Sequence, residues 1–185
     1  RIGLILLILI LILQWYQKRL KNVRIKAELR TAHDAQMSIM PHSDPQIKNF
    51  DISGICLPAN EVGGDFFDYI WMDEKKTNFG IVIGDVSGKA MKSAMTAVMT
   101  SGLINLLANE FVSIREVFRR INRPLYFKTE KKVFIALCLA SLNTRTRELI
   151  FTSAGLNEPL LKSATAVSRL SGSGNKLPLG VRSDS

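Results

Sequence analysis

The sequence predicts an α+β fold in which helices cover an antiparallel sheet, with a long helix in front of them. Strand-like apolar segments come first, two segments with helical spacing follow, and further short strands come last. Polar turn sequences separate neighbouring strands, as they do in hairpins. Of the 185 residues, 46% are hydrophobic and 22% charged, which indicates a mostly globular chain.

The N-terminal segment is apolar and leads into aromatic and then basic residues. Residues 2–13 are almost purely Leu and Ile, and Trp15 and Tyr16 follow them. The cations that come next are Lys18, Arg19, Lys21, Arg24, Lys26 and Arg30. This order is typical of a helix that leaves a bilayer on the cytoplasmic side. Because a full span needs about 20 apolar residues, we interpret residues 1–16 as the C-terminal part of a transmembrane helix. A signal-peptide core and a buried strand are the alternatives, and the first lacks a small-residue cleavage site.

Residues 17–42 are predicted to form a helical linker, since no Gly or Pro interrupts residues 14–40. A weak heptad seam runs through this segment at Trp15, Asn22, Ile25, Leu29, Ala32, Gln36 and Ile39. A parallel coiled-coil dimer and a single amphipathic helix lying on its own domain fit the seam equally well. Residues 43–185 are assigned to one globular domain.

The elements of that domain follow from periodicity and turn signals. Strands are predicted over residues 51–57, 65–72, 79–84, 132–142, 148–153, 160–162 and 167–170. A polar turn at residues 73–78 joins the second and third of these strands into a hairpin. Helical spacing predicts helices over residues 89–109 and 113–128, and Ser87 is a candidate N-cap for the first helix.

Charge and cysteine content exclude several classes of protein. The net charge is +9, and residues 1–40 hold seven Lys or Arg against two acids, so much of the excess lies beside the apolar segment. No basic patch alternates with aromatic residues, and we therefore predict no nucleic-acid binding. Cys56 and Cys138 lie in separate apolar runs, which indicates buried free thiols rather than a zinc site or a disulfide framework.

Two aspartates stand beside glycines at backbone bends. Asp65 follows Gly63 and Gly64, and Asp85 ends an apolar strand just before a helix. If the two strands pair through the hairpin, both carboxylates lie at the same end of the sheet. Adjacent carboxylates repel and raise each other's pKa, and a bound divalent cation removes that cost. We therefore predict that Asp65 and Asp85 bind hard divalent cations, a pair of which makes a hydrolytic site.

Three neighbouring polar residues are weaker candidates. Asp68 lies three residues after Asp65, so on a strand it points to the opposite face and is expected to support the site as a hydrogen-bond acceptor. Glu61 precedes the glycines and could support the ligands from behind, although an exposed charge is the commoner outcome. Asn157 lies in a turn, where it could contact substrate or simply form the turn.

These motifs resemble the SpoIIE/RsbU-type branch of the bacterial PPM family, the metal-dependent serine/threonine phosphatases. Residues 57–68 and 83–89 carry the most specific part of the resemblance, and residues 154–161 and 177–181 support it. The resemblance covers about residues 30–185. It implies a PPM-type α-β-β-α sandwich that is incomplete here, because the family's further metal aspartates lie beyond the last of these segments.

The resemblance also implies a chemistry and a setting. It implies two Mn2+ or Mg2+ ions near Asp65 and Asp85, with the backbone carbonyl of Val86 as a further ligand. No side chain is expected to act as nucleophile, because a metal-bound water attacks the phosphorus of a phosphoserine. The expected substrate is a phosphorylated STAS-domain protein, an antagonist of an anti-sigma factor in bacterial signalling. We expect a homodimer at the cell (inner) membrane with its catalytic domain in the cytoplasm. The alternative is a non-catalytic module of the same fold that binds a regulatory partner.

Overall fold

The computed structural model describes residues 2–57, 62–88, 91–110, 113–173 and 176–183. Its helices are α1 (Ile2–Met37), α2 (Met91–Ala108) and α3 (Ile114–Lys128). Its strands are β1 (Asp65–Trp71), β2 (Asn78–Val86), β3 (Ile135–Asn143), β4 (Leu149–Ala154), β5 (Leu160–Lys162) and β6 (Val167–Arg169). The predicted order of strands, two helices and further strands is therefore confirmed.

The strands β1 to β4 form one antiparallel sheet in the order β1-β2-β3-β4, and β5 and β6 form a separate hairpin. The first turn is closed by Asp73, whose carboxylate accepts the backbone N–H groups of Thr77 at 2.7 Å and Asn78 at 3.1 Å. This is the hairpin that the polar segment 73–78 predicts. Asn143 closes the turn between β3 and β4 in a similar way, because its side-chain oxygen accepts the N–H of Thr146 at 2.9 Å.

The two faces of this sheet have different surroundings. The inner face packs against α2 and α3, and its buried members include Phe66, Val82, Val86, Leu137 and Leu139. The opposite face, which we call the outer face, carries Asp65, Phe67, Tyr69, Ile83, Asp85 and Cys138. The outer face is open along part of its length, since Ile83 is 50% exposed. Strand alternation thus separates the hydrophobic core from the candidate site.

Helix α3 is amphipathic and begins and ends where its sequence predicts. The Ser113 hydroxyl caps it by accepting the N–H of Glu116 at 3.3 Å, and its last turn ends at Lys128. Its core-facing residues are Ile114, Val117, Phe118, Ile121, Asn122 and Leu125.

The C-terminal segment is held against α3 by a buried amide. The Asn122 side chain is fully buried, donates to the Arg182 carbonyl at 2.8 Å and accepts the N–H of Gly180 at 2.9 Å. Gly155 has φ +77°, and a Cβ there would lie 2.5 Å from Cγ of Pro178. The sequence segments 154–161 and 177–181 are therefore in direct contact, which gives a physical reason for their joint occurrence.

One sequence-based prediction is wrong. Residues 51–57 form no strand; they cross the outer face instead, where a Cβ on Gly54 would overlap the Phe67 ring and lie 2.5 Å from the Tyr69 hydroxyl. The Ser87 hydroxyl accepts the N–H of Phe134 at 2.8 Å and so joins the end of β2 to the start of β3, while its role as N-cap of α2 stays a prediction. Residues 89 and 90, where α2 was expected to begin, lie outside the described residues.

Helix α1 is continuous from Ile2, through both the apolar segment and the basic one. It is long and apolar enough to cross a membrane, and its most apolar part is not buried in the protein. Its last turns pack on the domain, where Leu29 and Ala32 are half-buried and Gln36 is 1% exposed. The helix therefore lies on its own domain only over its C-terminal end.

Candidate metal centre

The register of the first hairpin places Asp65 directly opposite Asp85. Both side chains lie on the outer face, and both residues are exposed. Partial burial raises the pKa of the Asp85 carboxyl above its usual value, and the charge of Asp65 and a hydrogen bond with its side chain raise it further. The two carboxyl groups are therefore neighbours on one face of the sheet, a position in which a divalent cation can take oxygen ligands from both.

A close backbone approach brings a third oxygen to the same end of the sheet. The N–H of Val86 donates to the Gly64 carbonyl at 3.2 Å. A Cβ on Gly64 would overlap the Val86 carbonyl oxygen and lie 3.0 Å from its carbonyl carbon. Only glycine therefore fits at this position. The side chain of Val86 is buried in the core, which holds its backbone next to Gly64, one residue away from Asp65 and from Asp85 along their strands.

This donor set fits a hard divalent cation in its chemistry. Carboxylate and carbonyl oxygens are the ligands that Mg2+ and Mn2+ take. Within the ranges that the structure describes, no group of three or more His, Cys, Asp or Glu side chains could hold a metal ion. The residues in place therefore supply part of a coordination shell, and water or further protein oxygens have to complete it.

Gln36 is the residue that sequence reasoning missed. Its amide nitrogen donates to the Asp65 carbonyl at 2.9 Å, and its amide oxygen accepts the N–H of Gly63 at 3.2 Å. The last turn of α1 is thereby joined to the loop that carries Asp65. In the sequence Gln36 is a polar interruption of a heptad seam, and only its full burial reveals that it binds the loop.

Of the three weaker candidates from the sequence, the two that the structure describes, Asp68 and Asn157, do not join the two aspartates. Asp68 points to the inner face, where its carboxylate accepts from the Asn105 amide at 2.7 Å and from the N–H of Tyr69 at 2.8 Å. It therefore braces α2 against β1 and does not meet Asp65. Glu61 lies outside the described residues. Asn157 is exposed, next to Leu156, which lines the cleft described below.

A cleft of about 760 Å3 extends from the two aspartates along the outer face. Its walls are residues 51–57 on one side and the strands β1 and β2 on the other. Cys56 lines it, with Sγ 3.9 Å from the Asp65 carbonyl oxygen. Burial and the Asp65 charge both raise the pKa of the Cys56 thiol, which keeps it protonated and unsuited to act as a nucleophile.

The chain matches one known protein family over more than half of its length. The profile of the family described as Stage II sporulation protein E (SpoIIE) matches residues 75–185. The chain belongs to the SpoIIE family. The match contains Asp85 and Val86, and the hairpin register brings Asp65 to them.

Two relatives of known name are similar in sequence. Phosphoserine phosphatase RsbU of Bacillus subtilis (strain 168) is 27% identical over 135 residues, which are 73% of this chain and 39% of that protein. Protein IcfG of Synechocystis sp. (strain ATCC 27184 / PCC 6803 / Kazusa) is 28% identical over 97 residues, which are 52% of this chain and 15% of that protein. The chain thus spans well under half the length of either relative.

Two solved structures share the fold. The SiaA-PP2C domain of Pseudomonas aeruginosa has a TM-score of 0.66 and 18% identity, covering 86% of this chain and 64% of that one. The RsbU and RsbW domains of Rv1364c from Mycobacterium tuberculosis have a TM-score of 0.58 and 22% identity, covering 67% of this chain and 34% of that one. The predicted fold class, a PPM-type fold preceded by an apolar helix, is confirmed.

The raised pKa of Asp85 makes a prediction about stability. Because the folded state binds this proton more tightly than the unfolded state, ionised Asp85 destabilises the metal-free fold above its folded pKa, and this penalty disappears as the pH falls through that pKa. We expect Asp85→Asn to raise the free energy of unfolding at pH 7 and to leave it unchanged at about pH 3, where the carboxyl is protonated in both states. Urea unfolding in EDTA measures this, with exposed Asp51→Asn as the control. A variant less stable than the parent at pH 7 would contradict the geometry.

The Gln36 contacts make a second prediction. Gln36→Ala leaves a buried N–H and a carbonyl without their partner, so we expect a loss of about 2 kcal/mol in the free energy of unfolding. Hydrogen exchange should also become faster at the Gly63 amide. Exposed Gln46→Ala is the matched control and should change the free energy by less than about 0.5 kcal/mol. Equal exchange rates at Gly63 in both variants would show that the amide contacts do not hold the loop.

Proposed function

We propose that this chain is part of a metal-dependent protein-serine phosphatase. The observation that carries the proposal is the pairing of Asp65 with Asp85 beside the Val86 carbonyl, in a chain of the SpoIIE family. RsbU, which is named a phosphoserine phosphatase, is similar over 73% of this chain. Together these point to hydrolysis of a phosphate ester at the end of the outer-face cleft.

The proposed cofactors are two Mn2+ or Mg2+ ions held by Asp65, Asp85 and the Val86 carbonyl. When bound, such ions lower the pKa of water and neutralise charge on a phosphoryl group. The chain itself holds the proposed ligands in position. Gly64 admits the Val86 carbonyl, and Gln36 holds the Asp65 backbone. This fixed placement of oxygen ligands is the contribution that a protein makes to such chemistry.

The proposed substrate is a phosphorylated regulatory protein, with a STAS-domain protein as our specific candidate. One structural neighbour joins an RsbU domain to an RsbW domain, which supports a role beside regulatory partners. Asn157, exposed beside the cleft, is the residue we propose for substrate contact.

Phosphatase activity is tested with the whole protein and a phosphoserine peptide. We expect phosphate release only with Mn2+ or Mg2+, and a loss of at least about 100-fold in Asp85→Ala and in Asp65→Ala, since each removes a metal ligand. Glu74→Gln, on the exposed β1–β2 turn, should retain full activity. Activity that persists in EDTA would refute the metal mechanism. Metal binding and peptide binding without turnover would instead favour the alternative, a non-catalytic interaction module of the same fold.

We propose that α1 anchors the protein in the inner membrane with the phosphatase domain in the cytoplasm. Trp15 and Tyr16 suit the interfacial belt, and the cations after them suit the cytoplasmic side. The Arg19 guanidinium lies 5.2 Å from the centre of the Trp15 ring, a cation–π contact at this boundary. Since Gln36 connects the last turn of α1 to the Asp65 loop, α1 is also the candidate for relaying a signal to the site.

A homodimer is the proposed assembly, and α2 carries the surface that supports it. An apolar stripe runs along its solvent side, with Met95 66%, Val98 37% and Leu106 61% exposed. Gly102 lies in the same stripe and leaves room for a close approach, since nothing is within 4 Å of a Cβ there. Exposed apolar stripes of this kind mark interaction sites.

The stripe makes a prediction about oligomeric state. Burying one Leu side chain contributes about 1.5 kcal/mol or more, and a symmetric dimer buries two copies of it. We therefore expect Leu106→Asn to weaken dimerisation by about 100-fold. Sedimentation of the detergent-solubilised protein measures this. Leu149→Asn, at an exposed position on β4, is the control and should leave the dimer intact. A dimer that survives Leu106→Asn would remove α2 from the interface.

A further inference from the structure

A basic groove lies between α3 and the edge strand β4, and one end of it reaches Leu156, which also lines the outer-face cleft. Two adjoining cavities form it, and they share Arg115, Thr152 and Ser153. The cavity that runs beside Arg115, Arg119 and Arg123 has a volume of about 620 Å3. Phe118, Ala154, Leu177 and Leu179 supply its apolar surface. Among the described residues, no acidic side chain lines this cavity, and the adjoining cavity contains Glu158, which is paired with Lys176.

The three arginines differ in their partners. Arg119 is held by Glu116, with two nitrogen–oxygen contacts of 2.7 and 2.8 Å. Arg115 and Arg123 are exposed and make no ion pair with any residue in the described ranges. These two guanidinium groups flank the neutralised Arg119–Glu116 pair, and both are available to an external anion.

The spacing of the arginines fits an extended polypeptide. Residues four apart on a helix are separated by about 6 Å along its axis. Alternate residues of an extended strand are separated by about 6.7 Å and point to the same side. Acidic side chains on one side of an extended segment would thus match Arg115 and Arg123, with the Arg119–Glu116 pair between them.

The neighbouring strand offers backbone partners for such a segment. Strand β4 pairs with β3 on one side and is the last strand of the sheet as described, so its other edge has no ladder partner there. Exposed edges accept an added strand, with main-chain hydrogen bonds for affinity and side-chain contacts for specificity. The arginine side chains along one wall of the groove then favour an added strand that carries Asp or Glu.

We propose that this groove binds an acidic extended segment of a partner protein, by strand addition to β4 with carboxylates on Arg115 and Arg123. The proposal does not rest on phosphatase activity, because binding here requires neither the metal ligands nor turnover. It assigns the partner a chemical signature, which is Asp or Glu at alternate positions between apolar or hydroxyl side chains.

The test uses the full chain in detergent, with EDTA present so that metal-dependent activity plays no part. The probe is a short fluorescein-labelled peptide in which Asp alternates with Thr or Val, and fluorescence anisotropy gives its affinity. We expect Arg115→Gln and Arg123→Gln each to weaken binding about fivefold, and the double variant about 25-fold, as expected for exposed charge pairs of good geometry. Arg145→Gln, an equal charge change on the far β3–β4 turn, should change affinity less than about twofold.

Several outcomes would overturn the proposal. Equal weakening by all three substitutions would mean that net charge alone binds the peptide. Unchanged affinity for a peptide of the same composition with consecutive Asp residues would remove the strand-addition geometry. A change from dimer to monomer in Arg115→Gln and Arg123→Gln, measured by sedimentation, would make the groove an interface between copies. Tighter binding of a DNA duplex than of the peptide, lost in the same variants, would assign the groove to nucleic acid.

Discussion

The opposition of Asp65 and Asp85 across one hairpin is the constraint on which the candidate site depends. The register leaves two like charges on neighbouring strands, an arrangement that is unfavourable in cross-strand pairs. The raised pKa of Asp85 is the direct consequence of that arrangement and of partial burial. A fold that retains such a pair carries a local destabilisation that a bound cation relieves. This cost is one reason for proposing that the site binds a divalent cation.

The surroundings of the pair show how the rest of the domain holds it. Gly64 permits a backbone approach that any side chain would block, and Gln36 holds the same loop from the opposite direction. On the inner face, Asp68 ties β1 to α2 through Asn105. Three separate elements thus fix the one short loop that carries Asp65, and the precision of the site comes from these neighbours more than from the ligands themselves.

The sequence predicts the parts of this arrangement that depend on short-range patterns. The first hairpin could be predicted because its turn is polar, its strands are apolar, and Asp73 can close the turn with its own carboxylate. Alternation along β1 separates Asp65 from Asp68 with no further information. Residues 51–57 show the limit of the same reasoning. Their apolar character predicts a strand, yet a strand requires a partner edge, and in the structure this segment packs against the Phe67 and Tyr69 rings instead.

Gln36 and the α3 groove could not be predicted because both depend on contacts between segments far apart in the chain. Gln36 meets Asp65 across 29 positions, and Arg115 reaches Thr152 only once the sheet has formed. In the sequence, Gln36 is a polar interruption of a heptad seam, and Arg115 is one of many surface cations. Burial distinguishes the first, because an amide that is 1% exposed requires partners. The missing counter-charge distinguishes the second, since Arg119 and Arg120 on the same helix have their acids and Arg115 has none among the described residues. Both residues therefore gain a functional interpretation from what surrounds them and not from their own identity.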